Sequence, residues 1–332
     1  MSLLKSRVFN VALLLAIAVM TSGVIKAQTP MTEIPLASGS ANGGAQVMSA
    51  TLLDGDQGSG GVVSTNGPEA AAFDGTYLWV ANQFTNSVTR VRASDGTVSG
   101  TYAVGKRPVA LLYAFAGVWV ANLQSNNVMK LSPSTGAILG TYAVGDGPGG
   151  LASDGSNIWV ANRESNNVTK LSSKGANLGT FAVGKRPMGL AFAGNSIYVA
   201  NNFSNTVTRL STAGAVLGEY AVGRGPFGVA AQGTSIWVSN FFGKSVTKLR
   251  ASDGLNLGTF TVGDGAAGVA FDGTNMWIVC HGANLLMKVN PSSGTVVSTY
   301  ATGKGPFAVV IGGSRVWVPN SASDSVSTTA AN

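Results

Sequence analysis

Seven aromatic residues, Trp79, Trp119, Trp159, Tyr198, Trp237, Trp277 and Trp317, recur at intervals of 39 or 40 residues. Around each the chain repeats one phrase, typified by Trp159-Val160-Ala161-Asn162. A fixed period of this length constrains the fold more than any other feature, because each unit must be one supersecondary structure stacked on its neighbours. Each unit opens with Gly-Pro or an equivalent and a run of small apolar residues, as in 187–192. A turn follows, often Asp-Gly (Asp74-Gly75, Asp154-Gly155, Asp272-Gly273), which is a strong hairpin signal because both residues tolerate positive φ. The aromatic strand comes next, then a polar loop, a third strand, a second glycine turn and a fourth strand ending at Gly145 and its counterparts.

Four short strands per unit and seven units predict an all-β chain, a seven-bladed β-propeller of four-stranded antiparallel blades. Helical repeats of similar period are excluded by the density of Gly and β-branched residues. The 45 glycines and the 11% charged content agree with many tight turns and buried sheets. The last unit stops after its third strand. Residues 60–64, which read like an isolated fourth strand, are expected to complete it and close the ring. The recurring Trp and the Asn that follows it are expected to be core and loop-holding residues. So are the cations Arg90, Lys130, Lys170, Arg209, Lys248 and Lys288, one per third strand, whose stems should pack along the blade.

Residues 1–27 read as a signal peptide. Lys5 and Arg7 precede an uncharged apolar run of ten residues, 11–20, too short to span a bilayer of about 30 Å. Export to the periplasm or the exterior follows, with retention of the segment as an anchor the competing reading. Residues 28–59, rich in Gly, Ser and Ala, are expected to be a flexible arm, and 60–332 the propeller. Without the signal segment the chain carries 18 basic and 14 acidic residues and no transmembrane segment. Its single cysteine, Cys280, cannot form an internal disulfide.

At Tyr198-Val199-Ala200-Asn201 and the Gly-Pro openings, the chain resembles the YVTN/YncE-like repeat propellers. It is also similar to the virginiamycin B (streptogramin) lyase-like propellers, which share the Gly-Pro, Asp-Gly and Trp-Val pattern. The resemblance spans roughly residues 67–328 and implies an extracytoplasmic propeller; members range from binding proteins to a lyase. The lyase implies a pair of histidines, a carboxylate and a magnesium ion, whereas this chain has one histidine, His281.

Function is sought where the copies differ, since the shared positions are accounted for by the fold. The junctions between units carry Lys106, Arg107, Lys185, Arg186, Arg224 and Lys304, with Asp146 and Asp264 among them. All precede an innermost strand and so share one face, around the mouth of the central channel. They form the expected ligand-binding set for an anionic ligand, an acidic polymer or a protein. Phe84, Phe203, Phe227, Phe241, Phe242 and Phe307 fall near that face, which keeps single-stranded nucleic acid open as a partner. The sixth unit breaks pattern as Trp277-Ile278-Val279-Cys280-His281, read as Cys and His replacing Ala and Asn. His281 with Asp264 is the candidate catalytic pair. Glu69, Asp146, Glu164 and Asp264 are the carboxylates that would hold a divalent cation, magnesium or calcium.

The favoured reading is an exported, monomeric, non-catalytic binding module using its basic loop face. The alternative is a metal-dependent lyase or hydrolase of the virginiamycin B lyase-like class with its site at the channel mouth. Single-stranded nucleic-acid binding is the third.

Overall fold

A computed structural model describes residues 29–36 and 66–331. Residues 1–27, expected to be a signal segment, the junction 60–64 and most of the expected arm lie outside the described residues. Seven sheets are arranged as a propeller, and in the first blade the order is Pro68–Phe73, Tyr77–Asn82, Ser87–Arg92 and Val98–Ala103 from axis to rim. Blades two to six repeat this meander at 108–143, 148–182, 187–221, 226–261 and 266–301, and the seventh spans 310–330.

The repeated residues explain the shape. Trp79, Trp119, Trp159, Trp237, Trp277, Trp317 and Tyr198 are all fully buried, filling the space between neighbouring sheets. Truncating one such ring to Ala costs roughly 3–5 kcal/mol. The indole N–H of Trp79, Trp159 and Trp277 donates to the aspartate of the preceding Asp-Gly turn, at 2.8, 2.8 and 2.6 Å. The innermost strands approach one another closely where they carry glycine. A Cβ on Gly150 would lie 2.0 Å from the Met188 carbonyl oxygen of the next blade.

The third-strand cations are structural, as expected from their regularity. Lys130, Lys170, Lys248 and Lys288 donate to the backbone carbonyls of Ser173, Thr212, Pro291 and Ala331 in the adjoining blade. Arg90 and Arg209 do the same to Ser134 and Ser252. Each head group therefore stitches one blade to the next while lying over its own blade's aromatic ring.

The ring is closed by an N-terminal strand, but from a different stretch than the sequence suggests. Thr32–Pro35 pairs antiparallel with Ser325–Ala330, taking the outermost place in blade seven that was expected for 60–64. Thr29–Pro30 adds a short parallel pairing to the outer strand of blade six. Part of the presumed flexible arm is thus sheet. Ile34 and Leu36 are buried against Leu78, Val80, Trp317 and Val326, joining the first and last blades. Among the described residues no helix is long and apolar enough to cross a membrane.

Candidate functional site

Each blade contributes four positions to the mouth of the channel. Two belong to the turn that enters the blade, one follows the opening Pro, and one follows the recurring Asn. The second turn residue is left-handed in every blade: Gly67, Arg107, Gly147, Arg186, Gly225, Gly265 and Gly305 have φ between 53 and 68°. Its N–H is held by the side chain of an Asn or Asp of the preceding blade in six cases, at 2.8–3.0 Å. Five blades place glycine there, as this backbone prefers. Blades two and four place arginine, at a conformational cost on the order of 1 kcal/mol each.

The six basic residues expected to form one ring therefore divide. Lys106, Lys185, Arg224 and Lys304 are the first residues of their turns and stand exposed on the rim. Arg107 and Arg186 are partly buried. Arg107 donates through Nε to Gln83 at 3.3 Å, and the Arg186 guanidinium lies 4.6 Å from the Phe203 ring centre.

Between them lies Arg163, which sequence reasoning missed. It follows the recurring Asn162, and its stem lies across Gly149, where a Cβ would come within 2.2 Å. Its Nε is buried without a hydrogen-bond partner, and among the described residues it is in no ion pair. Burial, with the like charge of Arg186 close behind, depresses its pKa. The signal for it was available: the residue after the recurring Asn changes in every copy, as Gln83, Leu123, Arg163, Asn202, Phe241, and Ser321.

Glu69 follows the opening Pro of blade one and lines the central cavity of about 200 Å³. Burial raises its pKa, against the opposing pull of Arg107 and Arg163. The rest of that cavity is small or apolar, built from Ala, Gly, Val and Leu with Met188, Phe227 and Phe307. A second cavity of about 160 Å³ opens beside it and shares Arg163, Met188, Phe227 and Phe307, adding Arg186 and further phenylalanines. Phe227 contacts Phe241 and Phe307 at 5.8 and 6.1 Å between ring centres, and Phe242 meets Phe241 edge-on at 5.3 Å. One side of the mouth is thus guanidinium and the other an aromatic wall. Phe84 sits apart on blade one, exposed above Gly67.

The sixth blade needs a correction of register. Cys280, not His281, takes the place of the recurring Asn, pairing with Ala266 as Asn162 pairs with Pro148. His281 occupies the variable position after it, on the mouth. Its ring is 4.1 Å from Phe307 and its Nδ1 is 3.2 Å from the Pro306 carbonyl oxygen. Burial lowers its pKa, favouring the neutral ring. Asp264 does not serve it: that carboxylate is exposed and pairs with Lys244 at 3.3 Å. The candidate catalytic pair is therefore not assembled.

Nor do the proposed metal ligands converge. Asp146 is exposed and accepts from Asn126 at 2.9 Å, Glu164 lies exposed beside Gly147, and no other carboxylate joins Glu69 among the lining residues of the cavity. Among the described residues no three His, Cys, Asp or Glu side chains gather as a donor set. The set does not suit a magnesium or calcium ion, which takes six or more oxygens or several carboxylates with water. Cys280 is fully buried, and its thiol is pushed up to about 12 by burial.

Fold and mouth together define a seven-bladed β-propeller with an arginine and phenylalanine axial pocket. No family model matches the chain, and no curated protein matches it at a significant level. Solved structures do share its fold. Virginiamycin B lyase from Staphylococcus aureus is 16% identical with a TM-score of 0.71, over 80% of this chain and 95% of that one. Kuenenia stuttgartiensis hydrazine synthase is 20% identical with a TM-score of 0.72, over 83% and 99%. BamB from Moraxella catarrhalis is 16% identical with a TM-score of 0.59, over 79% and 82%.

Proposed function

We propose that this chain is an exported, non-catalytic binding module that captures an anionic ligand at the mouth of its channel. The observation that carries this reading is the pair Arg107 and Arg186, set in left-handed turns where the other five blades use glycine. Backbone strain retained at a mouth, flanking a third guanidinium whose buried Nε has no partner, is the pattern of a site kept for a ligand rather than for stability. Export rests on the signal segment, and the YVTN-like repeats are in keeping with an extracytoplasmic binder. The structural neighbours do not favour a particular chemistry. A lyase and a hydrazine synthase share the fold, so the fold alone carries no activity. Among the described residues no His, Cys, Asp or Glu side chains gather as the donor set that the metal-dependent lyase alternative would use.

The test is a double variant, Arg107→Gly with Arg186→Gly, assayed for melting temperature and for binding heparin, an oligothymidine and 2-naphthoate. A melting temperature that holds or rises, with affinity for at least one anion down about tenfold or more, supports the reading. A fall in melting temperature with every affinity unchanged would make the two arginines structural and sink it. Binding of a polymer would also weaken steeply with salt, since it releases counterions.

A further inference from the structure

We propose that the ligand is a small aromatic monoacid, its single negative group on Arg163 and Arg186 and its ring against the phenylalanine wall. This rests on the anion-binding reading above and names the chemistry of the same site. Three observations lead to it.

The first is that one cavity of about 160 Å³ is lined by both guanidinium groups and by five phenylalanines, with no acid among its lining residues. A site that bound anions by charge alone would have no use for that wall. Phe203 and Phe242 remain 60% and 56% exposed on the rim, although other blades manage the same position with Gln124, Gly282 or Ala322. Exposed rings beside fixed cations suit a ligand that offers a flat apolar face as well as charge.

The second is the state of Arg163. A partly buried guanidinium whose Nε has no partner is costly to leave unpaired, and a neutral aromatic ligand would cover it without satisfying it. A carboxylate or sulfonate would pair with the outer N–H groups of this guanidinium, and a planar carboxylate matches their fork.

The third is Glu69. It lines the adjoining cavity with Arg163, Phe227 and Phe307, and its charge acts on Arg163. A fixed carboxylate beside the anion site repels a second negative charge on the ligand. Glu69 is thus a specificity-determining residue that discriminates against phosphate esters and polyanions in favour of a monoanion. The two cavities share four lining residues, so a single ligand of bicyclic size can span both.

The experiment titrates the full chain with 2-naphthoate, 2-naphthol, 2-naphthyl phosphate and inorganic phosphate by calorimetry. The same titrations are run on Arg163→Met, Phe242→Ala and Glu69→Gln, each checked for an intact melt. Phe242 is exposed, so its variant tests the wall without risk to the fold. The expected result is that 2-naphthoate binds about tenfold or more tighter than any of the other three. Arg163→Met and Phe242→Ala should each weaken it several-fold, and Glu69→Gln should narrow the gap to 2-naphthyl phosphate. If inorganic phosphate binds as well as 2-naphthoate and Phe242→Ala changes nothing, the aromatic-acid assignment is overturned while anion binding stands. If 2-naphthol equals 2-naphthoate, the charge plays no part and both readings fall. A preference against 2-naphthyl phosphate that survives Glu69→Gln removes Glu69 from specificity.

Discussion

Glu69 shows how a single residue at the mouth can be read in two ways, as a ligand-facing group and as a charge the fold tolerates. Its pKa is raised by burial, with Arg107 and Arg163 opposing. A carboxyl whose folded pKa lies above its unfolded value binds its proton more tightly when folded. The resulting stability is fully present below the unfolded pKa and is lost as pH rises through the folded one. Glu69→Gln should therefore raise the melting temperature at pH 7, and this gain should vanish as the pH falls below about 4. A gain that persists at low pH would point to packing rather than charge. Cys280 offers a second residue-scale test. A buried thiol pushed up to about 12 should ignore a thiol reagent in the native protein and react on denaturation.

At the scale of one blade, the recurring Asn was legible as a loop-holding residue, but the way it does so was not. Its Nδ2 closes the following loop by donating to the residue five along, as from Asn162 to Asn167 at 2.7 Å. The same Nδ2 reaches further along the third strand, from Asn162 to Thr169 at 2.9 Å, from Asn201 to Thr208 at 2.8 Å, and from Asn320 to Ser327 at 2.8 Å. That pairing explains the exception in blade six. The partners there are Leu285 and Met287, and Cys280 packs with them in one apolar cluster. Asn has been replaced together with the hydroxyls it would need. Cys280→Asn, although it restores the repeat, should destabilise by about 1–3 kcal/mol through a buried amide with no acceptor. The paired change that also places Thr at Met287 should recover part of that loss in a double-mutant cycle. No recovery would mean that space, not hydrogen bonding, governs the position. The aromatic strands, the Asp-Gly hairpins and the third-strand cations could be read from the period because the same packing acts seven times. Arg163 was marked only as a place where the copies differ; its burial, and the inward turn of Arg107 and Arg186, were not legible because they depend on which neighbouring blade faces each residue.

For the whole molecule the decisive contact is the one between the ends of the described chain. The need for a closing strand followed from a seventh unit that lacked its fourth strand, but its location did not. Thr32–Pro35 is four residues long with one buried side chain, and it carries none of the repeat's marks. Residues 60–64 looked the better choice because they precede Gly67-Pro68, the opening of blade one. The structure instead closes on Ile34, packed between blade one and blade seven, with Leu36 N–H donating to the Asp324 carbonyl at 2.7 Å. Nδ2 of Asn66 in turn donates to the Leu36 carbonyl at 2.6 Å, tying the strand to the start of blade one. A ring held at one seam should be sensitive there beyond the size of the side chain removed, since an opened seam exposes two sheet faces at once. Ile34→Ala should cost about 2–4 kcal/mol. For a domain of this size that lowers the melting temperature by roughly 4–16 °C. Val98→Ala, on an exposed outer strand, is the matched control and should change stability by less than about 0.5 kcal/mol. Thermal melts followed by circular dichroism decide it: equal shifts for the two variants would mean that Thr32–Pro35 decorates the ring without closing it.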